Sequence, residues 1–533
     1  MDRGRWCPGS RGSGSEHPDR TASRGEGREG HRRLFIQPRG RHSFSAAWLP
    51  WMQVQVSRVG FDCPAETVMR SLNPTGVPGR RISWPERIAF LLLTISAGAF
   101  VAQGAVAYWA APFEAAVHAP PQVLLLGVAF VSLLLDPRNA RWIFLGRHGR
   151  LCLAGGVAII AIDGFRHLLG LGGWNGLRTA QILTGIVIYV ISVRLVPHEP
   201  WMRRLLRVVF LVVCASALVA IFELFAGINV PWSVYAWRGR NIAVGLEYHP
   251  VALAYAMVPP SALAAFFALS RDRPYGDPGR QLSRLTAVLG TVALVGTASR
   301  SGLAGLVGGL VAGMLVYGRD VFSRLVLYGV PVLGALVFVG PIIIERVSKG
   351  DITADPRIYA TWVTYLPMVL MHPFGVPHDV ALGDLAARAH EFFGLNPDPF
   401  LVANALSIAP HNAFLSVGIQ YGWIGFLVML AMYVHALRQA SAISRRRSIP
   451  AGLRVLAAGI LSATIALLVH MSFHNASIIM GEMRNWLYLG LLIGLGGMAR
   501  SPLLTPIANW PHHAIHKEHG VANAIDAGRW RHG

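Results

Sequence analysis

The residues with the clearest chemical potential are one histidine and four arginines at the edges of long apolar runs. His411 and Asn412 open the stretch HNAFLSVGIQYGWIGFLVML, and the arginines occupy polar connections elsewhere, namely Arg238, Arg240, Arg300 and Arg357. A guanidinium offers a planar set of donors that matches phosphate oxygens. A neutral imidazole accepts a hydroxyl proton near neutral pH. The combination indicates a site that binds a phosphate group and activates a hydroxyl.

The composition is that of an integral membrane protein. Of the 533 residues, 53% are hydrophobic and only 14% are charged, whereas soluble proteins carry about 25% charged residues. Apolar runs recur from residue 88 to residue 498, and most are long enough to cross a hydrocarbon core of about 30 Å as a helix. The net charge of +21 lies mainly in the first 87 residues and in short connections, which indicates topology rather than nucleic-acid binding. We therefore expect an all-α, polytopic membrane protein.

Three regions are predicted along the chain. Residues 1–68 are rich in Arg, Gly and Ser and are expected to form a disordered basic tail. Translation from Met52 or Met69 would leave this tail out of the protein. Residues 69–498 form the predicted transmembrane domain, and residues 499–533 a cytoplasmic tail.

Twelve membrane spans are predicted within the transmembrane domain. The second, seventh and last are short, so ten or eleven spans are an alternative. The spans are placed at 88–110, 120–136, 149–165, 179–196, 205–227, 251–270, 285–299, 301–318, 325–344, 412–437, 455–473 and 485–498.

Arginine content alternates from one connection to the next. The arginine-rich connections are 136–150, 196–207, 271–284, 317–324 and 438–454. The positive-inside rule places them in the cytoplasm together with both termini. The four candidate arginines and His411 then share the outer face. Arginine is disfavoured on that face, so we expect arginines kept there to have a specific role. His474, in the sequence FHNAS, lies on the same face and is an alternative to His411 as the base.

Each candidate also has a purely structural explanation. Asn412 can cap its helix, and His411 can be an interfacial side chain. The arginines can contact helix carbonyls or lipid headgroups, and Arg357 can pair with Asp351 or Asp355. The set favours function more strongly than any single member does.

Residues 345–411 are the only long outward connection and are predicted to form a lid over the bundle. Ile358, Trp362, Tyr365 and Val369 follow helical spacing, which predicts an amphipathic helix. The sequence GDLAARAHEFFGL predicts a second, short helix. The lid therefore has the length and pattern of a functional element.

Other motifs narrow the chemistry. Gly305, Gly309 and Gly313 repeat every four residues, which predicts close helix packing rather than a phosphate loop. No HExxH, DxD or Cys/His set occurs on the outer face and no Walker motif occurs, so we expect no metal and no cofactor.

Four stretches resemble the O-antigen ligase and polymerase family of bacterial surface-polysaccharide assembly. They are RGRNIAVGLEYHPVALAYAMVPP, TASRSGLAGLVGGL, RIYATWVTYLPMVLMHPFGVP and PHNAFLSVGIQYGWIGFLVML. The second departs slightly from the family's Thr-x-Ser-Arg-Gly turn because Ser301 precedes the glycine. The last carries the family's Gly-x-x-Gly as Gly422 and Gly425. The likeness extends over residues 205–498.

The resemblance implies a metal-independent glycosyltransferase of GT-C-like architecture in the bacterial inner membrane. The donor would be a glycan on a polyprenyl (undecaprenyl) diphosphate at the periplasmic face. The acceptor would be a lipid A-core sugar for a ligase, as in lipopolysaccharide biosynthesis, or a further repeat unit for a polymerase. Arg300 and Arg357, with Arg240 or Arg238, would hold the diphosphate, and His411 would act on the acceptor hydroxyl.

The alternative function is a transporter or flippase for a lipid-linked or amphipathic anion. Outward arginines and twelve spans fit both functions. The scarcity of mid-membrane carboxylates, the lack of evident inverted repeats and the large lid favour the transferase. The motifs do not separate a ligase from a polymerase, and they identify neither the sugar, the acceptor nor the oligomeric state.

Overall fold

The computed structural model describes residues 82–117, 121–134, 146–171, 176–228, 230–233, 243–297, 299–318, 359–377, 380–407, 410, 412–474 and 483–499. Within these ranges all regular secondary structure is helical. A π-helix, Tyr359–Tyr365, directly precedes α10. The α-helices are α1 (Trp84–Val101), α2 (Gln103–Val117), α3 (Pro121–Leu134), α4 (Gly146–Leu168), α5 (Gly176–Leu195), α6 (Glu199–Ala226), α7 (Pro250–Leu269), α8 (Arg280–Gly296), α9 (Arg300–Tyr317), α10 (Leu366–Met371), α11 (Leu382–Phe392), α12 (Pro399–Ser407), α13 (Ala413–Arg445), α14 (Ala451–Met471) and α15 (Met483–Met498).

Eight of the described helices are long and apolar enough to cross a membrane, in whole or in part: α1, α4, α5, α6, α7, α9, α13 and α14. Helices α3, α8 and α15 are shorter, and they correspond to the three predicted spans that were already short. The predicted span at 325–344 lies outside the described residues. The chain is thus a multi-pass membrane protein with an all-helical described core.

Two local predictions were wrong. The first predicted span, 88–110, is divided between α1 and α2, because the chain leaves helical geometry at Ala102. In the lid, Trp362 does not share the buried face with Tyr365 and Val369, since its side chain is 61% exposed whereas theirs are buried. A π-helix has more residues per turn than an α-helix, so the α-helical spacing does not hold over Tyr359–Tyr365. Ile358 lies outside the described residues.

The helices alternate in direction, and this alternation collects the site residues at one end. Helix α9 begins at Arg300 beside the last turn of α14, as the contact between Ser301 and His470 demonstrates. Helix α13 begins at the same end because only residues 446–450 separate its other end from α14. We call this end of the bundle the Arg300 end and the opposite one the Arg445 end.

The arginine-rich connections share the Arg445 end. Helices α4, α6 and α8 begin there and helix α13 ends there, with described arginines in each of those segments. Hydrogen bonds join the connections: Tyr275 donates its backbone N–H to Gly452 O over 2.9 Å, and the Tyr317 hydroxyl donates to the Asp272 carboxylate over 2.7 Å. The alternation predicted from arginine content therefore matches the direction of the described helices.

Close packing of α9 against α14 depends on glycine. A Cβ on Gly305 would lie 2.5 Å from Ala466 O, and a Cβ on Gly309 would collide with Ser462 O. A Cβ on Gly313 would lie 3.1 Å from side-chain atoms of Phe266 and of Ser462. The predicted small-residue stripe is confirmed as the contact face of α9.

The lid enters a break in α13. Gly422 has φ 74° and ψ 177°, which interrupts the helix and is a backbone conformation that favours glycine. Ile424 N–H donates to Pro373 O over 3.3 Å, and Val376 N–H donates to Ile419 O over 2.7 Å. We call Pro373–Val376 the strap. Its backbone satisfies groups of α13 that the break leaves without helical partners.

Candidate functional site

Arg300 opens α9 on a turn that is built from hydroxyl side chains. Ser299 caps the helix by accepting a hydrogen bond from Gly302 N–H over 3.2 Å. Ser299 N–H in turn donates to Thr297 Oγ1 over 3.2 Å. The turn is buried while Arg300 itself is exposed. The sequence TASRSG therefore forms a rigid, well-capped helix start that holds one arginine outside the packed core.

A line of polar and aromatic side chains runs from this turn across α14. Ser301 Oγ lies 3.0 Å from His470 Nδ1. The His470 ring is 4.8 Å from the ring of His474 and 5.0 Å from that of Tyr255, measured between centroids. Ser301, the residue that departs from the family turn, thus has a structural role. Arg300 and His474 share one end of the bundle and are joined through two intervening side chains.

Asn412 caps α13. Its Oδ1 accepts hydrogen bonds from Phe414 N–H over 2.9 Å and from Leu415 N–H over 3.2 Å. The structural explanation of Asn412 is thereby confirmed, and the side chain contributes to the position of the helix start. His411 precedes it in the sequence but lies outside the described residues, as do Arg238, Arg240 and Arg357.

Sequence reasoning missed a buried ion pair at the same end. Arg484 Nη2 lies 3.4 Å from Glu247 Oε1 and donates to Gln103 Oε1 over 3.2 Å. Its guanidinium also lies 5.8 Å from the centre of the Tyr255 ring. Both charged side chains are buried. A signal was present, because Arg484 lies in a connection that the sequence predicts to be outward, where arginine is disfavoured.

His249 provides the N-cap of α7, next to Glu247. Its Nδ1 accepts the Val251 N–H over 3.1 Å, which requires that nitrogen to carry no proton. Burial lowers the pKa of His249 below its ordinary value. The side chain is therefore a neutral capping group at neutral pH.

Arg166, near the end of α4, holds the strap and was also missed. Its Nη2 donates to Val376 O over 2.9 Å, and its side chain is buried. The neighbouring Phe165 packs edge-to-face on Phe374, with ring centroids 5.1 Å apart. Helix α4 therefore contacts the strap in addition to α13.

Fold and site together define a multi-pass α-helical membrane protein in which the described candidate residues Arg300, Asn412 and His474 lie at one end of the bundle. Residues 285–430 match the family model described as O-antigen ligase. This match confirms the predicted resemblance and covers three of its four motifs, including Arg300, the strap and the start of α13. The chain is thus a multi-pass membrane protein in which residues 285–430 are similar to the O-antigen ligase family. None of the curated proteins compared with the chain matches it.

Proposed function

We propose that this protein transfers a glycan from a polyprenyl-diphosphate carrier to an acceptor hydroxyl at the periplasmic face of the bacterial inner membrane. The observation that carries the proposal is the O-antigen ligase match over 285–430, which contains Arg300, Arg357, His411 and the strap. The gathering of Arg300, Asn412 and His474 at one end of the bundle supports it.

The side of the membrane follows from the arginine distribution. Described arginines in four of the five arginine-rich connections lie at the Arg445 end, which the positive-inside rule assigns to the cytoplasm. The Arg300 end then faces the periplasm, where polyprenyl-linked glycans could reach it. In this proposal the transmembrane domain of residues 69–498 has twelve spans and GT-C-like architecture, residues 345–411 are the periplasmic lid, and both termini are cytoplasmic.

The arginines act on the leaving group. Arg300 and Arg357, with Arg240 or Arg238, bind the diphosphate and stabilise the negative charge that grows on it as the glycosidic C–O bond breaks. Stabilisation of developing charge is often the largest catalytic contribution, about 10²–10³-fold for one well-placed donor. The exposed position of Arg300 at a helix start suits a guanidinium that meets a lipid-borne phosphate.

The base acts on the acceptor. His411 takes the proton of the acceptor hydroxyl as its oxygen attacks the anomeric carbon, and polyprenyl diphosphate leaves from the opposite face. The transfer therefore inverts the anomeric centre. His474 is the alternative base, and Asn412 fixes the start of α13 next to His411. No metal and no cofactor take part in this mechanism.

The proposal is tested by the surface-glycan profile of a deletion strain complemented with variants at matched protein levels. The variants are His411→Ala, Arg357→Ala and Arg300→Lys, with Arg203→Lys as the control. Arg203 is an exposed arginine at the Arg445 end that pairs with Glu199 over 2.9 Å. We expect the three site variants to behave like the deletion and the control to behave like the wild type.

The stalled product identifies the reaction. Long glycan chains retained on the lipid carrier indicate a ligase, and glycan retained at one repeat unit indicates a polymerase. A normal glycan profile in the His411→Ala strain would show that His411 is not the base, and His474 would then be the candidate. A deletion that leaves every glycan pool unchanged would refute the transferase and favour a transporter of lipid-linked anions.

A further inference from the structure

Four polar side chains from three helices converge near the strap. Asp163 and Arg166 lie on the last turns of α4, Arg178 on the first turn of α5, and Tyr421 on α13 directly before the break. The Arg178 guanidinium lies 5.8 Å from the centre of the Tyr421 ring. Arg166 interacts electrostatically with the other three. We call these four residues the α4 polar cluster.

Three members of the cluster are buried, and their hydrogen-bonding groups are incompletely satisfied. Asp163 is 6% exposed, Arg166 3% and Tyr421 0%. Among the described residues, Asp163 Oδ2, Arg166 Nε and Tyr421 Oη have no hydrogen-bond partner. Burying such groups without partners costs free energy, most of all for a charge. Three unsatisfied atoms on residues that interact with one another, two of them on charged groups, indicate that a polar guest completes the cluster.

The strap forms one wall of this place. Arg166 donates to Val376 O, and Phe165 packs on Phe374 as described above. Phe165 is 43% exposed, so an apolar ring remains available beside the charged groups. The cluster also lies at the Arg300 end, because α4 ends there, α5 begins there and the strap contacts the first half of α13.

The unsatisfied atoms restrict the chemistry of the guest. Asp163 Oδ2 only accepts hydrogen bonds, Arg166 Nε only donates, and Tyr421 Oη does either. A guest must therefore offer donors and acceptors side by side. An anion would satisfy Arg166 but be repelled by Asp163, and a cation would meet two arginines. Adjacent hydroxyl groups on a neutral ring meet all three requirements, and an exposed aromatic ring suits the apolar face of such a guest.

We propose that the α4 polar cluster binds a neutral sugar unit of the glycan through neighbouring hydroxyl groups. This inference rests on the proposed function, because a glycan must reach the Arg300 end for transfer. Asp163 accepts a hydrogen bond from one sugar hydroxyl, and Arg166 donates a hydrogen bond to an adjacent hydroxyl. The Tyr421 hydroxyl forms a hydrogen bond with either of them. The cluster would thus select the sugar at a distance from the diphosphate-binding arginines, and Arg166 would couple its occupancy to the strap.

The test is direct binding of simple sugars to the purified full-length chain in detergent, measured by saturation-transfer difference NMR. The probes are methyl α-mannopyranoside and methyl β-galactopyranoside, each compared with its fully O-methylated form, with a methyl glucuronoside and with inorganic phosphate. The variants are Asp163→Asn and Tyr421→Phe. Tyr433→Phe, a buried tyrosine farther along α13, is the matched control, and thermal melting verifies that each variant is folded.

We expect at least one neutral glycoside to bind, and its O-methylated form not to bind. Loss of one hydrogen bond to a charged group weakens binding by about tenfold or more, so Asp163→Asn should weaken it by that factor. Tyr421→Phe should weaken it less, and Tyr433→Phe should not change it. If Asp163→Asn does not fold, the glycoside affinities of Tyr421→Phe and Tyr433→Phe are compared. Weaker binding in Tyr421→Phe alone then supports the proposed site.

Three results would overturn the inference. The first is that no glycoside binds, which would mean that water completes the cluster. The second is binding that neither Asp163→Asn nor Tyr421→Phe weakens. The third is a preference for phosphate or glucuronoside that Asp163→Asn strengthens, which would identify an anion site. None of these depends on transferase activity, so failure of this inference is distinct from failure of the glycan-profile test.

Discussion

Ser301 Oγ lies 3.0 Å from Nδ1 of His470, and this contact joins the first turn of α9 to the last turn of α14. Both side chains are buried, His470 completely. Because Arg300 precedes Ser301 and His474 follows His470 by one turn, the contact sets the relative position of two candidate site residues. Positions on different helices are thereby held by a side-chain hydrogen bond as well as by apolar packing.

Ser301→Ala should therefore destabilise the protein. It leaves His470 Nδ1 buried without its partner, which costs about 1–3 kcal/mol. The measurement is the melting temperature of the purified protein in detergent. Ser407→Ala is the control, since Ser407 is exposed and donates only to Asn404 O within its own helix. An equal decrease in melting temperature in both variants would contradict a stabilising role for the contact between Ser301 and His470.

Adjacent glycines of α9 provide a second comparison. Gly309→Ala would drive its Cβ into Ser462 O and to within 2.6 Å of Ala466 Cβ, and overpacking of this kind costs about 1–3 kcal/mol. Gly308→Ala meets only Val469 Cγ2 at 3.6 Å and should gain helix propensity instead. Melting temperatures should fall for the first variant and stay level or rise for the second. The reverse order would refute the assigned contact face.

Sequence patterns predicted the features of this fold that depend on local spacing. The glycine repeat at Gly305, Gly309 and Gly313 identified the packing face because four-residue spacing places all three on one side of a helix. The cap at Asn412 was predictable for the same reason, since a cap acts only on the next turn. The eight described helices that are long and apolar enough to cross a membrane could likewise be predicted from the length and hydropathy of the apolar runs.

Features that join distant parts of the chain could not be predicted in this way. Arg484 pairs with Glu247, 237 positions away, and Arg166 reaches Val376, 210 positions away. No periodicity encodes such contacts. Trp362 was assigned to the wrong helix face because its segment forms a π-helix and not the expected α-helix. The break at Gly422 was not predicted, since the sequence showed only the Gly-x-x-Gly likeness there and the strap that packs against the break comes from another part of the chain.

The stability of the protein should depend on pH through His249. Burial lowers the pKa of His249 in the folded state, so between that value and the unfolded value of about 6.5 the unfolded state binds more protons. Stability is then constant above about pH 6.5 and falls as the pH decreases below it.

The check on His249 is a series of melting temperatures from pH 7.5 to pH 5 for the wild type and for His249→Asn. Asparagine keeps a capping oxygen but does not titrate, so the variant should lose less stability on acidification. The difference between the two curves isolates His249 from the other histidines. Parallel curves would mean that His249 is protonated equally in both states.

Gly422→Ala should release the strap from α13. Alanine at φ 74° and ψ 177° is strained, and its Cβ would collide with Pro373 O. We expect a cost in stability of several kcal/mol, because strain at such a backbone position adds to the loss of the hydrogen bonds between α13 and the strap at Ile424 and Val376.

Limited proteolysis of the purified Gly422→Ala protein should then cut the lid faster than in the wild type. The control is Gly127→Ala, since a Cβ at Gly127 meets nothing within 4 Å. If both variants are cut at the wild-type rate, the break in α13 does not hold the lid. Faster cleavage in Gly422→Ala together with loss of the surface glycan would connect the strap to the transfer reaction.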